Sequence, residues 1–302
     1  MSPHTPDPAA DNCGIAQAAA AVGDWWSLLV LREIARGHVR FDALARELGV
    51  SRKILSERLT TLAERGVLDR RRYHERPPRY EYLLTDQGRG LLPVLVALQD
   101  WADRWLLGDG TLTGLAEEDG AESRRVRALV GTELPPGLLL RATDGSLRDP
   151  LASGRPTVLF AYPGTGVPGS PPEPAGTLDP IPGNAGCTLE NRLFRTAWPR
   201  FRGAGIAVHG VSTQSPAAQA AFAQAEDLPF PLMSDTGMDL TTALRLPVFR
   251  LGQEVRIKRL LLVCDAERTI RHTLFPITDI PAALEDALRI GRTLGPGSTT
   301  HP

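Results

Sequence analysis

The stretch FDALARELGVSRKILSERLTTLAERGVL, residues 41–68, decides the first fold. Phe41, Leu44, Ala45 and Leu48 recur at helical spacing and give one helix an apolar face, and Gly49-Val50 make the turn that follows. Ser51 is a capping residue, and Leu55, Leu59 and Leu62 form the inward face of a second helix. Two short helices about a tight glycine turn predict a helix-turn-helix. The second helix carries Arg52, Lys53, Ser56 and Arg58 on or near its outer face, beginning at its N-terminus. Those residue types at that helix end suit bases and phosphates in a major groove.

Immediately downstream, LDRRRYHERPPRYEYLLT reads as two alternating strands joined at Pro77-Pro78, with Arg70, Arg71, Arg72, Arg76 and Arg79 along them. A basic hairpin after such a helix is a wing, and Arg76 and Arg79 join the candidates for contact with double-stranded DNA. From Arg32 to Arg79 there are 13 basic and 7 acidic residues, a local +6 in a chain whose 34 basic and 35 acidic residues leave a net charge of −1. A local basic patch is the electrostatic footprint of phosphate contact. The plainer reading is a solvated face on a helical interaction module.

Outward from this segment, residues 14–107 read as mostly helical, and 108–125 (GDGTLTGLAEEDGAESRR) have linker composition. From about Val126, TVLFAY, IAVHGVS and RLLLVC read as strands, alternating with the helical runs LENRLFRTAWPRFRG, SPAAQAAFAQAE and IPAALEDALRIGRTL. Strand–helix alternation predicts an α/β sandwich. The expected organisation is a flexible arm at 1–12, a DNA-binding domain at 13–107, a linker at 108–125, an α/β domain at 126–295 and a tail at 296–302. No internal repeat is visible.

With 42% hydrophobic and 23% charged residues, the chain of 302 residues excludes wholesale disorder. Three scattered cysteines, Cys13, Cys187 and Cys264, exclude a disulfide scaffold or a zinc site and suit a reducing compartment. No apolar run reaches the ~18 residues of a membrane span, because Asp24 and Arg32 interrupt the early Ala/Trp/Leu stretch. MSPHTPDPAADN lacks the basic and apolar regions of a signal peptide, so a cytoplasmic protein without membrane, metal or cofactor is expected.

Cys187 stands just before an amphipathic helical run, where the helix dipole and backbone N–H groups favour thiolate, the nucleophile that attacks peroxides and disulfides. Arg259 opens the strand RLLLVCDAE and is placed to bring a guanidinium to that thiolate. Cys264, mid-strand among leucines, reads as a small buried hydrophobe. His38, His74 and His209 read as packing or surface residues, and GTGVPGS lacks the Lys-Ser/Thr of a phosphate loop.

Cys13-Gly-Ile, GDWWSLLVLREIARG, the helix-turn-helix segment, YHERPPRYEYLLT and LLPVLVALQDWADRW resemble the HxlR family of winged-helix regulators over residues 13–105. The resemblance implies a homodimer that reads a two-fold symmetric operator, paired through its first helix and the helix around Leu91–Trp105. It also implies, at Cys13, a redox or electrophile sensor of the kind some members carry.

ATDGS, TVLFAYPGTG, GNAGCTLE, GVSTQS, LPFPLMSD and KRLLLVCDAE resemble the peroxiredoxin (AhpC/TSA) family of the thioredoxin-like fold over about residues 130–290. That resemblance implies Cys187 as peroxidatic cysteine, Arg259 as the arginine holding thiolate and peroxide, and Ser212, Thr213 and Gln214 lining the pocket. The family motif sets a Pro seven residues and a Thr or Ser three residues before the cysteine; Pro180 fits, but Asn184 takes the hydroxyl position. Thr165, across the Pro163–Gly186 insertion with its 7 prolines and 6 glycines, is then the candidate hydroxyl. No cysteine follows Cys187 at short range to resolve a sulfenic acid, so either a thiol reductant or Cys13 does so.

The expected fold is therefore two-domain, an N-terminal α+β winged helix-turn-helix and a C-terminal α/β thioredoxin-like (peroxiredoxin-type) sandwich. The leading expectation is a redox-responsive transcription regulator that senses peroxide or another oxidant. The alternatives are a thiol peroxidase tethered to a winged helix, and a regulator with a non-catalytic, ligand-sensing thioredoxin-like domain.

Overall fold

The computed structural model describes residues 13–106, 116–166, 186–251 and 254–294. The chain forms two compact units, Met1–Leu95 and Val96–Pro302.

In the first unit, the early apolar stretch is split into α1 (Gly14–Val22) and α2 (Trp25–Ala35), bent by 73°. The split falls where the Asp24 carboxylate accepts the Trp26 and Ser27 N–H groups and caps the second helix. Among the described residues no single helix is long and apolar enough to cross a membrane. α3 (Phe41–Leu48) ends on Gly49 at φ +61, a left-handed conformation that costs a residue with a β-carbon roughly 1–2 kcal/mol. α4 (Arg52–Glu64) starts where the Ser51 hydroxyl accepts the Ile54 N–H at 3.3 Å. Leu44, Leu55, Leu59 and Leu62 bury completely against Val30 and Leu31, which fixes the two helices. β1 (Leu68–His74) and β2 (Arg79–Leu84) then pair antiparallel from Leu68 opposite Leu84 to His74 opposite Arg79, with every β1 residue after Leu68 exposed. α5 (Asp86–Arg89) and α6 (Leu92–Trp105) follow, the latter running across the division at Leu95. This is the expected winged helix-turn-helix.

The second unit contains α7 (Ala121–Arg127), β3 (Leu140–Ala142), β4 (Leu147–Arg148), β5 (Thr157–Ala161), α8 (Cys187–Gly203), β6 (Ala207–Ser212), α9 (Pro216–Ala225) and β7 (Leu232–Ser234). It continues with α10 (Asp239–Leu244), β8 (Val248–Leu251), β9 (Glu254–Ile257), β10 (Leu260–Cys264), β11 (Ile270–Leu274) and α11 (Ile280–Thr293). A seven-stranded sheet runs in the order β11-β10-β5-β6-β7-β3-β4, with β5, β6 and β7 mutually parallel and the other pairings antiparallel. β8 and β9 form a separate hairpin.

Strand alternation divides this unit into two cores. Val158, Phe160 and Tyr162 with Leu261 and Val263 face Phe194 and Phe201 of α8 and Leu284 and Leu288 of α11. Leu159 and Ala161 with Leu260, Leu262 and Cys264 face Val126 of α7 and Leu240 and Leu244 of α10. Burial on both faces is why β5 and β10 read as unbroken apolar runs. The result is the expected thioredoxin-like three-layer sandwich.

One boundary differs from the composition. Composition extends the linker through Arg125, yet Glu122 and Ser123 of α7 are buried and Glu122 Oε2 accepts from Lys258 Nζ at 2.6 Å. A polar segment reads as solvated by composition, but here its carboxylate is the counter-charge of a buried ammonium. The expected arm, residues 108–115 of the linker, much of the Pro/Gly insertion, Pro180, Asn184 and the tail lie outside the described residues.

Candidate active site and nucleic-acid interface

Three elements of the second unit end at one edge of the sheet. The parallel strands β5 and β6 deliver Tyr162 and Ser212 at their carboxyl ends, and the antiparallel β10 begins there with Arg259, because Leu260 pairs with Ala161. α8 starts at the same place with Cys187, its N-terminus held by Gly186 at φ +96. A β-carbon on Gly186 would lie 2.9 Å from Ile280 Cδ1, the movable end of that side chain, so it is the left-handed conformation that selects glycine. The carboxyl ends of parallel strands are where α/β folds place ligands.

Arg259 bridges the site. Its Nη2 donates to Cys187 Sγ at 3.3 Å and its Nη1 forms an ion pair with Glu190 Oε2. Glu190 lies three residues along α8 from Cys187, hence on the same helix face. The Gly164 N–H also points at the sulfur. Cys187, Glu190 and Arg259 are all buried.

Burial dominates their electrostatics. It raises the Cys187 thiol above its ordinary range; Arg259 and the Gly164 N–H pull it down, and Glu190 adds to the rise. Burial thus works against the thiolate that the helix N-terminus favours. Burial likewise pushes Glu190 up to about 7 against the pull of Arg259.

Thr165 is placed differently from its expected role at the sulfur. Its N–H and hydroxyl both address Gln214 Oε1, at 2.8 and 3.4 Å, while Gln214 Nε2 returns a bond to the Thr165 carbonyl at 2.8 Å. The pair clamps the start of the insertion to the β6 edge. Thr213 donates to the Val255 carbonyl, and Ser212 Oγ accepts from Gln219 Nε2 at 2.6 Å. Cys264 is buried with its thiol pushed up to about 12, the inert residue expected, and His209 packs with Nδ1 2.7 Å from the Pro150 carbonyl.

Glu190, Tyr162 and the Glu122–Lys258 pair do not stand out in the sequence. Glu190 carries a signal there, the helical i to i+3 spacing from Cys187. Lys258, one of only two lysines in an arginine-rich chain, carries a weaker one.

On the first unit, Arg52, Lys53 and Ser56 are exposed along α4, and Arg76 and Arg79 are exposed on the wing. Ser51 spends its hydroxyl on the cap. Arg52 pairs with Asp42 at 3.1 Å and stacks 4.8 Å over the Phe41 ring; Arg70 stacks 3.5 Å over Tyr80. A recess of about 380 Å³ between these groups and the wing turn is lined by arginine and aromatic side chains. Arg58 is the exception to the expected outer face. It lies two residues beyond Ser56, about 200° around the helix, and its Nε sits 3.4 Å from the Asp24 carboxylate that caps α2. Cys13 is exposed at the N-cap of α1, its carbonyl accepting the Gln17 N–H at 3.0 Å.

A winged helix-turn-helix joined to a thioredoxin-like domain with a buried Cys–Arg–Glu centre is the class these units define. The HxlR-like helix-turn-helix family matches residues 21–109, and the AhpC/TSA family matches residues 181–273. An uncharacterised HTH-type transcriptional regulator of Mycobacterium tuberculosis is 46% identical over 92 residues, 30% of this chain and 58% of the relative. One from Synechocystis is 41% identical over 95 residues, 31% of this chain and 70% of the relative. The chain thus spans little more than half the length of the mycobacterial relative. Among solved structures, peroxidoxin BcpB of Mycobacterium tuberculosis is similar at 25% identity and TM-score 0.43, over 53% of this chain and 94% of that one. A mutant of PrxQ from Xylella fastidiosa is similar at 20% identity and TM-score 0.43, over 53% and 93%. The chain belongs to the HxlR-like helix-turn-helix family through its first part and carries an AhpC/TSA peroxiredoxin-like domain in its second.

Proposed function

We propose that this protein is an oxidant-responsive transcription regulator. Cys187 is its oxidant-reactive thiol, Arg259 holds the thiol and the incoming peroxide, and Cys13 is the second redox position. The 3.3 Å contact between Arg259 and Cys187, at the carboxyl edge of the parallel strands, is the observation that carries this reading. A guanidinium there stabilises negative charge on sulfur and on the peroxide oxygens as the O–O bond breaks. The oxidised thiol is a sulfenic acid, returned by a thiol reductant.

The first part supplies the output, as a cytoplasmic homodimer on a two-fold symmetric operator. Within the first unit, Ile15, Trp25 and Val94 leave between 48% and 82% of their surface exposed, the kind of apolar area that self-association covers. Ser51, Arg52, Lys53, Ser56, Arg76 and Arg79 form the DNA-reading set, and Arg58 supports it from behind.

Brief, near-stoichiometric hydrogen peroxide, followed by peptide mapping and gel shift on operator DNA, tests the reading. A Cys187 sulfenic acid or a Cys187 disulfide with altered DNA binding is expected. A Cys187→Ser protein that releases DNA with peroxide just as the wild type does excludes it. The completeness of the Cys–Arg–Glu centre favours a second reading, a thiol peroxidase tethered to the winged helix. Sustained peroxide consumption with a reductant and unchanged DNA binding distinguishes that one.

A further inference from the structure

Tyr162 leaves the end of β5 and is fully buried in the same apolar cluster as Cys187. It stacks 5.7 Å from Phe160, and its hydroxyl lies in the field of both Cys187 and Glu190. Yet among the described residues that hydroxyl donates its hydrogen to nothing. The Ser212 hydroxyl draws the phenol down by donating toward its oxygen, and Ser212 Oγ already accepts from the Gln214 N–H and from Gln219 Nε2, which leaves the phenol's own hydrogen without an acceptor there. Glu190 Oε1 is unpaired too, although Oε2 of the same carboxylate takes Arg259. Buried polar atoms are nearly always paired. Here, among the described residues, a hydroxyl hydrogen and a carboxylate oxygen lack partners close enough to Cys187 for their charges to act on one another. A hydroperoxide group is their complement, since it offers an acceptor oxygen and a donor hydrogen together.

Two other donors among the described residues are committed or unfit. The Thr165 hydroxyl addresses Gln214, and an arginine does not give up its proton. Burial raises the Tyr162 phenol, so it stays protonated and acts as a donor at every physiological pH.

We propose that Tyr162 is the catalytic acid for peroxide reduction at Cys187, protonating the leaving oxygen, and that Glu190 takes the thiol proton. The proposal rests on the reading of Cys187 as an oxidant-reactive thiol. The Cys187 proton passes to the Glu190 carboxylate, and the sulfur attacks the distal peroxide oxygen. The S–O bond forms, the O–O bond breaks, and the leaving alkoxide takes the Tyr162 hydroxyl proton. Glu190 returns a proton to the phenolate. The sum is thiol plus hydroperoxide giving sulfenic acid plus alcohol, with sulfur oxidised by two electrons and peroxide reduced by two.

The test compares two oxidants on the full chain, timing Cys187 sulfenic acid by dimedone trapping and mass spectrometry. tert-Butyl hydroperoxide expels an alkoxide that needs a proton; peracetic acid expels acetate, which does not. Tyr162→Phe is expected to slow the first reaction about a hundredfold, the typical reach of general acid catalysis, and to leave the second within about twofold of wild type. Equal slowing of both, or of neither, overturns the proposal. Alkylation of Cys187 by iodoacetamide, where iodide leaves unprotonated, keeps its wild-type rate if the variant's site is intact. Glu190→Gln acts before the bond breaks and is expected to slow both oxidants alike; a slowing with the hydroperoxide alone contradicts its assigned step. Wild-type Cys187 inert to both oxidants refutes the underlying reading, and the proposal falls with it.

Discussion

Cys187 sits where a helix N-terminus, a guanidinium and a desolvating core act on one sulfur. A helix N-terminus favours thiolate; at this sulfur burial is the largest influence and raises its proton affinity, while Arg259 and the Gly164 N–H lower it. Alkylation of Cys187 by iodoacetamide is expected to show a pH midpoint above the ~8.5 of a free thiol. Arg259→Leu removes the main opposing charge and moves that midpoint higher still. Glu190 has a related effect on stability. Its folded carboxyl is raised from 4.5 to about 7, so its contribution is fully present below pH 4.5 and is lost as pH rises toward 7. Buried Asp235, raised to about 6, acts in the same direction. Urea unfolding of the second unit's transition is expected to weaken across that window, and Glu190→Gln to flatten part of the decline.

At the scale of elements, α4 separates reading from support. Arg52→Ala with Lys53→Ala is expected to weaken DNA binding, with the salt slope falling by roughly 0.9 for each phosphate that is no longer neutralised. Arg58→Ala is expected to lower the thermal stability of the winged helix instead, because its guanidinium joins α4 to the capped start of α2. An unchanged melting temperature with a reduced salt slope for Arg58→Ala places that residue on the DNA after all. α8 makes a similar point through its first residue. Gly186→Ala puts a β-carbon on a left-handed backbone and is expected to destabilise by about 1–2 kcal/mol in denaturant titration.

Over the whole molecule, the buried Lys258–Glu122 pair ties α7 into the second unit. A chain starting at Val126 lacks Glu122 and is expected to lose about 3–5 kcal/mol of stability relative to one starting at Ala116, the cost of breaking a buried ion pair. Glu122→Leu with Lys258→Met recovers most of what Glu122→Leu loses alone, since two apolar residues of similar size replace a pair whose desolvation offsets its attraction. Comparable stability for the two truncations shows that α7 is dispensable.

Local periodicity and composition made much of this protein legible. The apolar spacing of residues 41–62, the glycine turn, the arginines of the wing and the unbroken runs of β5 and β10 each follow from a helix or strand burying a recurring face, so the sequence alone determined both folds. Cys187 and Arg259 could be named from their places at the start of a helix and a strand. What joins them is non-local. The sulfur–guanidinium contact spans 72 residues of sequence, the Arg259–Glu190 pair 69 and the Glu122–Lys258 pair 136. Only the order of strands in the sheet brings those charges together, and only the depth of the resulting core makes burial the largest influence on the Cys187 thiol. Tyr162 reads as one more apolar residue closing a strand; its role as a hydroxyl whose hydrogen has no acceptor exists only once β5 and α8 are packed. A sequence specifies which faces are buried, whereas a pKa or an unpaired atom depends on what lies opposite, and that is settled in tertiary structure.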